Sequence, residues 1–542
     1  MARTRKKTAK QTTRPTLRVE ALEQRELFAV GLDPTFNYGW GITGTDFGGT
    51  NDYLKDMNVQ PDGKVLLVGS SHLVSGESNF AIARFESNGT LDTSFGEDGG
   101  GHTVTDFAGG DDLPSFSILQ DDGKVLVVGR SQTDEGVFVV AIARYHANGL
   151  LDATFGDSGK ATYDVAGGSQ MNPKVGFIAD DKLIVFGNST SNSFPKSTLM
   201  VRFNLSDGSI DGSFGSGGIK VLNASMDVYS AVAHVGGYVL GGISADGTLE
   251  GRGMIAKLTG NGNIDTSFGT NGIAVLPGQW QSGWITGVTV VGNDKIVAVG
   301  NGETNGNDKV FVARWLANGA LDPTFNLDGV YDSDGEHATL SGVTASLNGT
   351  VVAVGSVMKS DSIHSQDFLA LRLTESGTPD PTFGVDGRVT IAMTNKQDTA
   401  KSIHSYANGN LLIGGTSLSG ADYDLSLARL KNNIKVAVPH SGVGGLRLDS
   451  WPFTREDHPI LDLFTQLDPV AASYRPLLWF PTPSVTQQRT RPSLHGRDNR
   501  RSLADARDVF FENESSLLIA CSDGVTDAVV PTTRGIRRIN HR

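Results

Sequence analysis

A six-residue motif occurs seven times along the chain at intervals of 54 to 60 residues, and a repeat of that length constrains the fold more than any other feature. It reads Leu-Asp-Thr-Ser-Phe-Gly at 91–96, with variants at 32–37, 151–156, 210–215, 264–269, 321–326 and 379–384. Two further segments recur in fixed order within each unit. One is an apolar run ending in glycine, such as KVLLVG at 64–69, KVLVVG at 124–129 and KIVAVG at 295–300. Its residues are apolar at consecutive positions, so both faces of the strand are expected to be buried. Asp-Gly or Asn-Gly precedes several of these runs, as at 62–63, 122–123 and 408–409. Those dipeptides supply the positive φ of a two-residue hairpin and so mark a further strand upstream.

The other recurring segment is FAIARF at 80–85, matched by VAIARY at 140–145 and FVARW at 311–315. Adding the short segment after the motif phenylalanine, such as Val104-Thr105-Asp106-Phe107, gives four strands per unit. Four short antiparallel strands repeated seven times, with sheets buried on both faces, predict an all-β, seven-bladed β-propeller around a central channel. A linear solenoid would need polar caps at its ends, and the sequence offers none. One motif precedes the first blade and none follows the last Ala-Arg-Leu strand at 428–430. The N-terminal strand is therefore placed to complete the last blade and lock the ring.

The motif, the glycine-terminated strand and the Ala-Ile-Ala-Arg-Phe strand together resemble the delta-60 repeat family of bacterial β-propellers over residues 32–434. That resemblance implies large surface or secreted proteins and carries no assigned catalytic residues. Residues 1–30 differ from the repeats: a basic tract without acids up to Arg18 precedes Leu22-Glu23-Gln24-Arg25-Glu26-Leu27-Phe28. This string resembles the "LEPR" N-terminal signature of envelope and secreted bacterial proteins, with Gln24 where proline is usual. It implies export to the cell envelope or exterior. After residue 434 the pattern stops. Residues 435–542 hold thirteen arginines and one lysine and show no continuing repeat, which predicts a poorly ordered Arg-rich extension.

Charge narrows the partners. The net charge is −13 despite the basic arm, so the repeats repel phosphate backbones and nucleic acid is not expected as a ligand. A single cysteine, Cys521, leaves no intramolecular disulfide and no cysteine-based zinc site. No apolar run is long enough to span a membrane.

Most of the recurring polar residues read as structural. Arg84, Arg144, Arg202, Lys257, Arg314 and Arg372 hold one register, and the motif aspartates Asp92, Asp152, Asp211, Asp265, Asp322 and Asp380 follow eight or nine residues later across a hairpin turn. Ion pairs between the hairpin strands are the expected use. The same aspartates can close an Asx turn onto the following Ser or Thr. Phe95, Phe155, Phe214, Phe268, Phe325 and Phe383 then serve as apolar anchors between blades. Seven copies of a catalytic group would be odd, whereas seven copies of a staple are expected.

Alternating oxygen ligands at Asp332, Asp334 and Glu336 make calcium a candidate there, although no EF-hand-type loop is completed. Gly39-Trp40-Gly41-Ile42-Thr43-Gly44 satisfies a dinucleotide fingerprint literally but lacks its strand–helix setting. The chain is thus expected to be an exported or cell-surface, non-enzymatic module for protein or glycan contact. The alternative is a carbohydrate-active hydrolase or lyase, which would need one blade to break symmetry with acids or histidines at the channel mouth.

Overall fold

A computed structural model describes residues 31–431, apart from 98, 108, 166–169, 190–196, 223, 246–250, 334–336, 346–348, 360–361 and the side chains at 362–364, together with the backbone of four strands between 506 and 540. The basic arm, with the string that resembles an export signature, and most of 435–542 lie outside the described residues. The last four strands, Ala506–Asn513, Ser516–Cys521, Thr526–Thr532 and Gly535–Asn540, pair in sequence order as an antiparallel meander. No periodicity in the Arg-rich extension had suggested them.

The repeats form seven four-stranded antiparallel sheets, the predicted seven-bladed propeller. Blade 1 shows the plan: Asp52–Val59, Val65–His72, Ser78–Phe85 and His102–Thr105 pair in that order. The third strand is buried along its whole length and the second along all but its last residue. Their consecutive apolar residues therefore pack against a neighbouring blade on either face. The innermost strands are Asp52–Val59, Asp112–Leu119, Met171–Ala179, Met226–His234, Ser282–Val291, Ala338–Ala345 and Asp398–Ser405, and each touches the next around the channel.

Ring closure uses the N-terminal segment. Ile42–Thr45 pairs with Asp422–Leu430, so blade 7 takes its outermost strand from the start of the chain and its other three from the end. The seventh cation of the hairpin register, Arg429, reaches across the same seam, with Nε 2.8 Å from Asp33 Oδ2.

The glycine that ends each apolar run has a structural cause. Every innermost strand carries one β-bulge at the same register: in blade 1, Leu54 faces Gly69 and Asp56 faces Val68, leaving Lys55 without a ladder partner. There the inner strand leans onto the glycine. A Cβ on Gly69 would lie 2.4 Å from the Tyr53 carbonyl oxygen, and one on Gly355 only 1.8 Å from that of Thr339. In blade 7 the glycine at this register is Gly415, facing Ala400, rather than the Gly414 that ends the apolar run. A bulge re-aims the extra residue, and here it turns it toward the channel.

Candidate functional site

The two ends of the propeller differ in kind. The motif and the turns between first and second strands occupy one end, and there the recurring polar residues are consumed by packing. Arg84 Nε lies 2.7 Å from Asp92 Oδ2, Arg144 Nε and Arg202 Nε each 2.8 Å from Asp152 and Asp211, Arg314 Nε 2.8 Å from Asp322, and Arg372 Nε 2.9 Å from Asp380. In blade 4 the looser Lys257–Asp265 pair stands at 3.7 Å. The other carboxylate oxygen closes the Asx turn, accepting from both the backbone N–H and the hydroxyl of Ser94 at 3.0 and 2.6 Å. The N–H of the motif phenylalanine goes instead to the aspartate's backbone oxygen, 3.1 Å away in blade 1.

The arginine does more than pair within its hairpin. Arg144 Nη1 donates to the carbonyl of Leu205 at 2.7 Å and Arg314 Nη1 to that of Glu375 at 2.6 Å, both in the following blade. Each guanidinium also covers a motif phenylalanine, at 4.5 Å over Phe155 and 4.6 Å over Phe325. That ring in turn presses on a turn glycine of the next blade: a Cβ on Gly208 would meet Phe155 at 2.5 Å. Burial alone would raise the Asp92 carboxyl, but bonds from Lys64, Ser94 and Arg84 outweigh it and hold the group well below the usual carboxylate range.

Of the calcium candidates, Asp334 and Glu336 lie outside the described residues. Asp332 sits on a short outer strand with Lys309 Nζ 3.2 Å from its carboxylate. Among the described residues a different acidic group converges: Asp46, Asp52 and Asp424 bring one carboxylate oxygen each to within 4.8 Å of one another at the blade 7–blade 1 seam. Asp424 and Asp46 also line a cavity of about 330 Å³ there. Burial pushes the Asp52 carboxyl up to about 6, with Asp46 and Asp424 adding to the rise. The same register carries Asp112 and Asp398, and all three do one job. Asp52 accepts the Phe47 N–H, Asp112 the Phe107 N–H, and Asp398 those of Met393 and Thr394. Asp52 thus clamps the loop entering its blade, a structural role shared by three blades.

The channel is where the blades stop resembling one another. Its lining at the bulge register includes three lysines, Lys55 of blade 1, Lys174 of blade 3 and Lys401 of blade 7. The other four blades supply hydroxyls there: Ser115, Tyr229, Thr286 and Ser341. No acid stands at this register. Arg130 of blade 2, one residue past its bulge glycine, joins the lysines and lies 4.3 Å over the Phe138 ring.

Burial lowers the pKa of Lys55, and Lys401, Lys174 and Arg130 lower it further, so cations from four consecutive blades act on one another. Burial likewise lowers Lys174, with Arg130 and Lys401 adding to the effect and Asp227 opposing it. Among the described residues none of the three lysines makes an ion pair. The acids nearby are hydrogen-bonded to the wall, and one of them, Asp56, also attracts Lys401. Asp56 accepts from the Ser117 N–H and hydroxyl at 2.8 and 3.0 Å and from the Met57 N–H at 2.8 Å, while Asp111 accepts from the Ser78 N–H at 3.1 Å. Aromatic surface flanks the cluster at Tyr229, whose ring centre is 6.0 Å from Lys174 Nζ and which is 41% exposed; in blade 5, Trp284, two residues before its bulge, is 42% exposed.

Sequence reasoning looked for symmetry breaking by acids or histidines at the channel mouth and passed over the cations of the bulge ring. The bulge residues fall in the least regular segment of each repeat, so no periodic signal exposed them. The recurring glycine was the available clue, because it marks the opposite side of each bulge.

The description "domain of unknown function (DUF5122) beta-propeller" matches residues 60–95, 120–155, 178–214 and 292–325. Each matched span ends on or next to the motif phenylalanine and starts at or just before the turn into the second strand. The chain is a β-propeller repeat protein. Solved structures similar to this propeller include the polysaccharide lyase Uly1, at 10% identity over 75% of this chain and 98% of that one, with a TM-score of 0.42. Domains 1–2 of the Drosophila semaphorin 1a ectodomain match at 10% identity over 72% and 89%, with a TM-score of 0.39. The β-propeller domain of Myceliophteria thermophila Cps50 (Swd1) matches at 10% identity over 71% and 98%, with a TM-score of 0.35. Likeness at these levels concerns fold alone. No curated protein matches the sequence. Among the described residues no helix is long and apolar enough to cross a membrane.

Proposed function

We propose that this propeller is an exported or cell-surface binding module of the delta-60 repeat type that contacts a glycan or protein at its channel mouth and carries out no chemistry of its own. One observation carries the reading: residues common to the blades are consumed by packing, whereas residues that differ between blades gather along the channel. Exposed Trp284 and Tyr229 supply the flat apolar faces on which sugar rings or aromatic side chains stack. The test is an array of neutral and acidic glycans probed with the full chain, alongside Trp284→Ala and Tyr229→Ala. Binding that both substitutions weaken supports the reading, and binding indifferent to both removes the channel mouth as the contact surface.

A hydrolase or lyase is the second reading, favoured by the Asp52 carboxyl with its pKa near 6 beside Asp46 and Asp424. A general acid needs such a value, but it must also reach substrate. Asp52 is 1% exposed and committed to the Phe47 N–H. A polysaccharide turnover screen decides between them: activity abolished by Asp424→Asn would establish the enzyme.

A further inference from the structure

The lysines of the bulge ring present a physical problem that points to a ligand. Lys55, Lys174 and Lys401 come from three different blades, stand at one register of the channel wall and make no ion pair among the described residues. A half-buried cation such as Lys55 or Lys174 is costly when the charge around it is mostly of its own sign, and together with the exposed Lys401 the three repel one another. Packing does not require them, because blades 2, 4, 5 and 6 fill the same register with Ser or Thr hydroxyls or a tyrosine. Nor are they an extension of a basic surface, since the protein as a whole carries −13.

We propose that this side of the channel, built from Lys55, Lys174, Lys401 and Arg130, binds an acidic oligosaccharide through its carboxylate or sulfate groups. The inference rests on the binding-module reading and specifies its ligand class. Asp56 and Asp111 oppose the charge, but both are held by hydrogen bonds to the wall. Asp227 stands near Lys174. The Thr286 hydroxyl is donated to the Leu340 carbonyl, but that of Ser341 on the far side of the ring can meet sugar hydroxyls, and Tyr229 beside Lys174 offers a stacking face. A sugar polymer suits this arrangement better than a free inorganic anion, which would use the cations and leave the aromatic flank idle.

The experiment measures binding of trigalacturonate, its fully methyl-esterified counterpart, a sulfated disaccharide and inorganic sulfate to the full chain by calorimetry. The comparison protein is Lys55→Met/Lys174→Met/Lys401→Met. Acid-bearing sugars should bind, the methyl ester at least tenfold more weakly, and the triple variant should lose at least tenfold in affinity while its circular dichroism is unchanged. Affinity should also fall as salt rises. A variant at a lysine on the outermost strand of blade 3, Lys220→Met, should bind as the parent does. Should the triple variant fold poorly, Lys174→Met alone keeps the test open, with a smaller loss in the same direction. Inorganic sulfate binding as tightly as the sugars would overturn the oligosaccharide assignment. Equal affinity for trigalacturonate and its ester, undiminished binding by the folded triple variant, or no binding of either acid-bearing sugar would each overturn the inference. A neutral glycan bound in a Trp284-dependent way would at the same time leave the binding-module reading standing.

Discussion

Replacing Arg314 by methionine tests the staple logic where it is tightest. The Arg314 side chain is 3% exposed and its aspartate partner 1%. Its guanidinium bonds Asp322 at 2.8 Å, Thr324 at 3.1 Å and the Glu375 carbonyl of the next blade at 2.6 Å, and lies 4.6 Å over Phe325. Breaking a buried pair costs about 3–5 kcal/mol. Lys295, 2.8 Å from the same carboxylate, remains to hold it, so the lower end applies. Loss of the cation–π contact and of the Glu375 bond adds about 1–2 kcal/mol. The expected total is about 4 kcal/mol. Lys257→Met in blade 4 is the internal control, because that pair is 3.7 Å apart with side chains 16% and 25% exposed. It should cost about 1 kcal/mol or less. Equilibrium urea unfolding followed by both fluorescence and circular dichroism supplies the numbers, with coincident transitions licensing the free energies. Equal costs at the two sites, or a double-mutant cycle of Arg314→Met with Asp322→Asn that shows no coupling, would refute the account.

Three further outcomes are expected. Gly355→Ala forces a Cβ to within 1.8 Å of the Thr339 carbonyl oxygen; it should destabilise by about 2–3 kcal/mol through backbone displacement, and a change below 0.5 kcal/mol in urea midpoints would mean that the bulge does not depend on glycine. Asp52 and Asp112 are held at about 6 against 3.8 when unfolded, so the native state binds the extra proton and stability should rise as pH falls from 7 toward 4, by roughly 3 kcal/mol per group. Asp92, Asp152 and Asp322 are shifted the other way, and their contribution is lost only as pH falls below 3.8, giving a stability maximum between the two regimes; burial also raises Asp56, Asp398 and Asp424, so Asp52→Asn/Asp112→Asn should reduce the rise rather than abolish it, and a steady decline from pH 7 to 5, or a rise undiminished in that variant, would contradict this. Deleting residues 1–45 removes the outermost strand of blade 7 and Asp33, and hydrogen exchange at 425–428 should accelerate by at least tenfold; unchanged protection there would show that the seam closes without the N-terminal strand.

Sequence and tertiary structure divide the information along a physical line. The seven Phe-centred motifs, the Asn-Gly and Asp-Gly turns and the consecutive apolar runs determined seven four-stranded blades, because turn chemistry and two-faced burial are local requirements repeated at fixed spacing. The eight- or nine-residue interval between Arg84 and Asp92 and its equivalents was legible for the same reason, since one hairpin brings both together. Contacts between blades were not legible. That Arg144 reaches the Leu205 carbonyl is a property of neighbouring sheets, and that the recurring glycine answers a bulge is a property of strand pairing within each sheet. The channel is the extreme case: Lys55, Lys174 and Lys401 are more than a hundred residues apart, follow no period, and become a cluster only because a closed ring brings the same register of distant blades around one axis. Local chemistry decided what a blade is, and closure decided which side chains share the channel.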